Sequence, residues 1–270
     1  MAITGTLKIL GCADSFGTPN AAGHWGNCDP NEPKNRRKRC SALIQYDDKN
    51  IVIDTGPDFR EQCLQNDIKK IDAVIYTHYH GDHTNGIEDL KSFFHKQNDQ
   101  RITTLALQDT LKNLSTRFKH CYEDTGNGLY KAALTPEIVK KEHYYKPYTF
   151  HDLSLILFPQ DHNTCETLGI RIGDLAYSVD LKDMEQKSID CLKGIKTWII
   201  DAADTWTDSG INHCTIDKVR QLNKQIKAEK VILTSLKSKN DYHKLTKELQ
   251  QNGLTEMTPA FDGLEVTFTL

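Results

Sequence analysis

Apolar residues recur in short runs punctuated by polar turns through the first third of the chain. Thr6–Gly11 alternates, with Leu7 and Ile9 on one face, and reads as a first strand. Ser41–Tyr46 and Asn50–Asp54 flank Asp47-Asp48-Lys49 and read as a hairpin. Pro57–Asn66 reads as a short helix and Asp72–Thr77 as an apolar strand. A strand at Ile102–Ala106 and a helix at Asp109–Phe118 follow. Lys119–Tyr148 is polar and weakly patterned, and reads as an insertion over a site. His151–Phe158, Leu168–Ile172 and Leu175–Val179 read as strands, the last two joined by a turn at Gly173-Asp174. Thr197–Asp201 and Val231–Leu233 are further strands, and Leu264–Leu270 closes the chain as another. Thr215–Glu229 places Ile216, Val219, Leu222 and Ile226 on one face of a helix, and Asp241–Gln251 is a second helix. Strands cluster in each half, with helices between and after them. The expected class is α+β: an αββα sandwich of two mixed sheets packed face to face, helices outside, in one domain over residues 1–270.

Composition narrows the function classes. The 270 residues are 38% hydrophobic and 26% charged, with net charge −3, which fits a globular chain and offers no broad cationic surface for nucleic acid. No apolar run approaches the ~20 residues that span a bilayer. Met1–Thr6 lacks the basic start and apolar stretch of a leader, so the cytoplasm is the expected compartment, without membrane partners. The 8 cysteines are scattered with no C-x-x-C pair, and free thiols are expected. Asp14–Arg39, rich in Gly, Pro and Asn, is a long loop of the kind that is usually functional.

The densest chemistry is His78-Tyr79-His80-Gly81-Asp82-His83, directly after Ala73-Val74-Ile75-Tyr76. A strand ending in such a loop can aim several ligands at one place. Neutral imidazole suits zinc, iron, manganese or nickel, and a carboxylate can hold a second, harder ion. A metal-dependent hydrolase is the expectation.

That motif resembles the signature of the metallo-β-lactamase superfamily. Ile9-Leu10-Gly11-Cys12, Cys40-Ser41-Ala42-Leu43-Ile44, Ile53-Asp54-Thr55-Gly56-Pro57-Asp58-Phe59-Arg60, Gln160-Asp161-His162, Leu168-Gly169-Ile170-Arg171 and Tyr177-Ser178-Val179-Asp180 follow in the family's order. The branch it is most similar to is that of phosphoribosyl 1,2-cyclic phosphate phosphodiesterase. The resemblance implies the same sandwich fold and two divalent ions, zinc or manganese. His78, His80 and His162 would hold one. Asp82, His83 and a further histidine would hold the second, with Asp180 bridging and Asp54 orienting ligands from beneath. It also implies catalytic roles for Asp82 and for His213, the latter as the acid that protonates a leaving alkoxide after hydroxide held between the metals attacks phosphorus. His213 and Thr215 can alternatively cap the helix that they open.

Two departures stand out. The family's last ligand is a histidine, where this chain has Ile232-Leu233-Thr234-Ser235. Serine is a poor zinc ligand, so the second site is expected to be weakened, completed by water or another group; His243 is one candidate. The branch's structural zinc is not expected, because the early loop carries only Cys28 before Cys40 and Ser238 stands at the matching later position. Substrate contacts are expected from Arg37 and Arg39 of Asn35-Arg36-Arg37-Lys38-Arg39 and from Ser235, with His24 and Trp25 as stacking candidates. The substrate is expected to be a small phosphorylated molecule, most simply a cyclic phosphodiester. A ribonuclease Z-like nuclease, a weakly active phosphate-ligand binder, and thioester or lactone hydrolysis are the competing readings; nucleic acid is the disfavoured partner. Dimers are common in the family, and a homodimer is carried as an expectation.

Overall fold

The alternating run at Thr4–Gly11 (β1) buries Leu7 and Ile9, which fixes which side of the strand meets the interior. Ser41–Tyr46 (β2) and Lys49–Ile53 (β3) pair antiparallel as the hairpin that the pattern predicts. Ala73–Ile75 (β4), Ile102–Leu107 (β5) and Leu134–Val139 (β6) extend that sheet in parallel. Pro147–Phe150 (β7), Leu153–Asp161 (β8), Glu166–Ile172 (β9) and Leu175–Ser178 (β10) form an antiparallel run in the other sheet. Thr197–Asp201 (β11), Lys230–Thr234 (β12) and Met257–Pro259 (β13) continue it in parallel. Glu265–Thr269 (β14) returns to pair with β1. The orders are β14-β1-β2-β3-β4-β5-β6 and β13-β12-β11-β10-β9-β8-β7, two mixed sheets of 7 strands each. This computed structural model describes residues 4–126, 129–206 and 211–270. The start of the leader reading at Met1–Thr6, and two positions of the expected insertion, lie outside them.

Three apolar layers follow from the two faces of each sheet. Between the sheets lie Leu7, Ile44, Ile53 and Ile75 against Leu155, Ile170, Tyr177 and Ile232. Outside the first sheet, Phe59 of α1 (Phe59–Gln65), Phe94 of α3 (Leu90–Lys96) and Leu111 of α4 (Gln108–Arg117) cover Val52 and Val74. Outside the second, Ile189 of α6 (Gln186–Leu192), Val219 and Leu222 of α7 (Ile216–Ile226) and Leu245 of α8 (Tyr242–Gln251) cover Trp198 and Ile200. This is the αββα sandwich; α2 (Gly81–Thr84) and α5 (Lys119–Tyr122) are single turns.

Two segments differ from the sequence reading, and four short elements escaped it. His151–Phe158 is not one strand: His151 and Asp152 both take positive φ (49° and 66°) and turn β7 into β8, which then runs to Asp161. Lys119–Tyr148 is not an unstructured insertion, because it supplies α5, the edge strand β6 and the start of the edge strand β7. The short helices α2, α3 and α6 and the three-residue strand β13 went unread. Gly173 does turn β9 into β10, at φ 53°, and a Cβ there would stand 1.9 Å from the Thr269 carbonyl oxygen. All cysteines are free thiols. Among the described residues no helix is long and apolar enough to cross a membrane.

Candidate metal centre

The C-terminal ends of β3, β4, β10, β11 and β12, with the end of β8, gather at one edge of the sandwich, where open α/β sheets place their sites. β4 delivers Thr77–His83, β8 delivers His162, β10 delivers Asp180 and β11 delivers Asp201. The result is a set of overlapping clusters: His78, His80, His162 and Asp180; Asp82, His83 and Asp180; and Asp180, Asp201 and His213, with ligand atoms within 4.8 Å of one another in each. The sequence-predicted ligands are thus brought together, and Asp180 belongs to all three groups. Asp180 sits at φ 48°, a conformation that a non-glycine residue adopts at a cost and that turns its carboxylate into the site.

Three of the candidate ligand rings are aimed by a second partner. His83 Nδ1 lies 2.7 Å from Asp54 Oδ2, and that carboxylate also accepts from Thr77 N (2.8 Å) and Thr77 Oγ1 (2.7 Å). With the Thr77 hydroxyl proton given to Asp54, Thr77 Oγ1 accepts from His78 Nδ1 at 3.0 Å. His162 Nδ1 donates to the Asn212 carbonyl at 2.8 Å. So three rings spend Nδ1 on separate anchors and turn Nε2 inward, as metal-bound histidines do. His78 Nε2 is buried without a hydrogen-bond partner, a costly state that an ion would relieve. Asp180 Oδ2 stands 3.5 Å from His78 Nε2, 3.4 Å from His162 Nε2 and 3.4 Å from His83 Nε2. Two donors bound tetrahedrally at ~2.1 Å would stand about 3.4 Å apart, so the residues present fit divalent ions.

Electrostatics divide the centre. Burial, then the neighbouring ring of His83, hold His78 well below the ordinary imidazole range, and burial and His162 lower His80. Burial also works against a charge on His83, but Asp180 and Asp54 outweigh it and raise His83 well above that range. Asp180 and Asp82 resist burial and are held low by His83. His213 Nδ1 lies 2.6 Å from Asp201 Oδ2. Burial opposes its charge, yet Asp201 lifts it to about 9. Asp201 is fully buried and also accepts from Leu181 N (2.9 Å) and Ala203 N (2.8 Å), tying the acid candidate to the turn that carries Asp180. Thr215 caps α7 by accepting from Lys218 N at 3.1 Å, which is the cap reading of this segment.

Several expected contacts fall elsewhere. Arg37 is turned inward, 2% exposed, with Nη2 donating to Asn240 O at 2.9 Å and reaching Cys28 Sγ at 3.1 Å; it braces the early loop and does not face substrate. Arg39 is clamped on Asp58 by Nε and Nη2, both at 2.8 Å. Ser235 is buried at φ 58°, its hydroxyl 3.5 Å from Cys40 Sγ, so it offers substrate no open face. His243 pairs with Glu32 on the exposed first turn of α8, outside the clusters, and does not replace the missing histidine. Trp25 is stacked under Arg36. The sequence reading missed Asp201, whose only signal was its place at a strand end, and Asn212, which acts through its backbone.

Residues 49–234 match the family described as beta-lactamase superfamily domain. A solved structure of a new diphosphatase from the PhnP family superposes with a TM-score of 0.87 at 28% identity, over 100% of this chain and 99% of that one. The human short-form tRNase Z superposes with a TM-score of 0.67 at 14% identity, over 97% and 98% of the two chains, a likeness of fold alone. A curated octanoyltransferase from Porphyromonas gingivalis (strain ATCC BAA-308 / W83) is 28% identical over 263 residues. That alignment takes in 95% of this chain, which spans half the length of that relative.

Proposed function

The chain belongs to the beta-lactamase superfamily and is a metal-dependent hydrolase, and from that premise we propose that it is a phosphodiesterase for small phosphodiesters or diphosphates, working with two zinc or manganese ions. The observation that carries this reading is the pairing of His213 Nδ1 with the buried Asp201 carboxylate at 2.6 Å, beside the shared carboxylate Asp180. A phosphoryl group expelling an alkoxide or phosphate needs a proton donor on the leaving side, and a general acid with its proton in place at neutral pH meets that need. The match to a diphosphatase at 28% identity over the whole chain supports the same class.

His78, His80 and His162 would hold the first ion and Asp82 and His83 the second, with Asp180 shared. When bound, such ions lower the pKa of water and neutralise charge on phosphoryl oxygens. The protein's part is positional. Asp54 and Thr77 lock His83 and His78, and Asn212 locks His162. Asp201 holds His213 with its second nitrogen free to donate to the departing oxygen. The acyl transfer in the name of the Porphyromonas protein is not carried over, since the match covers half of it.

Bis(p-nitrophenyl) phosphate, a thioester and a lactone, each offered to protein stripped of metal and reloaded with zinc or manganese, separate the chemistries. Metal-dependent release of nitrophenolate with little turnover of the other two is the expected result. Preferential thioester or lactone hydrolysis overturns the reading.

A further inference from the structure

Beside the metal centre lies a cleft of about 470 Å³, on the scale of small-ligand sites. Part of its wall comes from residues close in the chain to the candidate ligands, Tyr79 and Cys165. Tyr79 sits between His78 and His80, its ring edge-on to His80 with centroids 5.3 Å apart, and its carbonyl is held by Arg117 Nη1 at 2.9 Å. Cys165 belongs to the His162 loop, its carbonyl accepting from His162 N at 3.1 Å. Tyr144 faces the cleft from the segment between β6 and β7, fixed by a backbone bridge to Leu157 and by its hydroxyl, which donates to Glu166 Oε1 at 2.6 Å. Gln108 and Thr110, on the first turn of α4, add amide and hydroxyl groups.

Two half-buried aromatic side chains with anchored positions and several hydrogen-bonding groups make a platform for a flat, polar ring. Charge says which kind. The lining holds Lys140 and Lys141 against Asp109 and Glu166, so there is no cationic surplus for a second phosphate. We propose that this cleft, beside Tyr79 and Tyr144, takes the neutral aromatic part of the substrate, a nucleobase or a group of similar shape, and so sets specificity for nucleoside-bearing phosphodiesters. This inference rests on the phosphodiesterase reading for its chemistry, but the cleft's ligand can be tested without it.

Two chromogenic esters differing only in one arm, thymidine 5′-(p-nitrophenyl phosphate) and methyl p-nitrophenyl phosphate, report the contribution of the cleft. The kcat/KM ratio should favour the nucleoside ester, and Tyr144→Ala should lower that ratio about tenfold, the scale of one base–aromatic stack. Tyr144→Phe keeps the ring and should retain most of the preference, which separates lost stacking from misfolding. Equal kcat/KM for both esters, unchanged in the variants, overturns the proposal. Hydrolysis of neither ester removes the phosphodiesterase reading instead. Calorimetric titration with thymidine 5′-monophosphate then decides the cleft: weaker binding in both Tyr144→Ala and Tyr79→Leu supports it, while no binding, or binding indifferent to both, ends it.

Discussion

The two halves of the metal centre are built from the same loop yet differ in kind. The half around His78, His80 and His162 is a cage of imidazoles with one carboxylate; burial and its own neighbours keep His78 neutral and ready to bind. The half around His83 has Asp82, Asp180 and, behind it, Asp54, and these carboxylates press a proton onto the ring. Where the family places one more imidazole, this chain has Ser235, folded inward onto Cys40. One half is therefore complete and nearly charge-neutral, while the other is short of a neutral ligand and rich in negative charge. A hard cation would be attracted to the second half by charge, but the incomplete ligand shell would hold it less tightly.

The largest break in this comparison comes from its complete side. His80→Ala removes a half-buried candidate ligand without touching the apolar layers, so the protein should fold, by circular dichroism, while metal-dependent hydrolysis disappears. Full activity in that variant would sink the mechanism. Next in size is the acid: His213→Ala should lower kcat by about 10²–10⁴-fold on alkyl esters, and much less on p-nitrophenyl esters, whose leaving group needs no proton. A uniform loss across leaving groups would reduce His213 to a structural role.

The legibility of the sequence follows the same division. The H-x-H-x-D-H loop is contiguous, so its ligand set shows without a fold. His162 and Asp180, 79 and 97 residues beyond His83, became readable only through resemblance to a family. The Asp201–His213 pair and the inward turn of Arg37 depend on side-chain direction, which spacing does not carry. Arg37 stands in a basic run that reads as a rim, yet its guanidinium is held by the Cys28 thiol of its own loop and by the backbone carbonyls of Lys237 and Asn240. The edge strand β6 escaped because Thr135, Pro136 and Ile138 are exposed, so no buried face stands out along it. The hairpin at His151-Asp152 escaped because neither residue is the Gly or Asn that usually marks such a turn. Helices of a turn or two are shorter than the periodicity that would announce them.

Ser235→His sharpens the comparison by completing the weaker half. Histidine is among the residues that tolerate the left-handed backbone found there. Second-site affinity, read by titration with zinc against a competing chelator, should rise at least about 10–100-fold, the scale on which even supporting groups shift metal affinity. No change would mean that water or another group already completes the site, or that position 235 points away from it.

The smallest effect is in protons, and it separates the halves most cleanly. A metal at the second site must displace the proton that Asp180 and Asp54 keep on His83, whereas His78 has none to give. The second equivalent should therefore release about one proton near neutral pH and tighten about tenfold per pH unit, while the first stays nearly flat. Calorimetric titration in two buffers of different ionisation enthalpy counts these protons, and equal counts for both equivalents would erase the distinction. The metal-free protein carries the same signature in its stability. His213 and His83 have folded pKa values above the unfolded value of 6.5, so their contribution is full below 6.5 and is lost as pH rises through the folded values, about 9 for His213. His78 has the opposite shift and contributes above 6.5, a contribution lost as pH falls. Stability without metal should peak between these limits. Saturation with metal should remove the fall on the alkaline side that His83 causes, because a bound ion replaces the proton that the carboxylates demand.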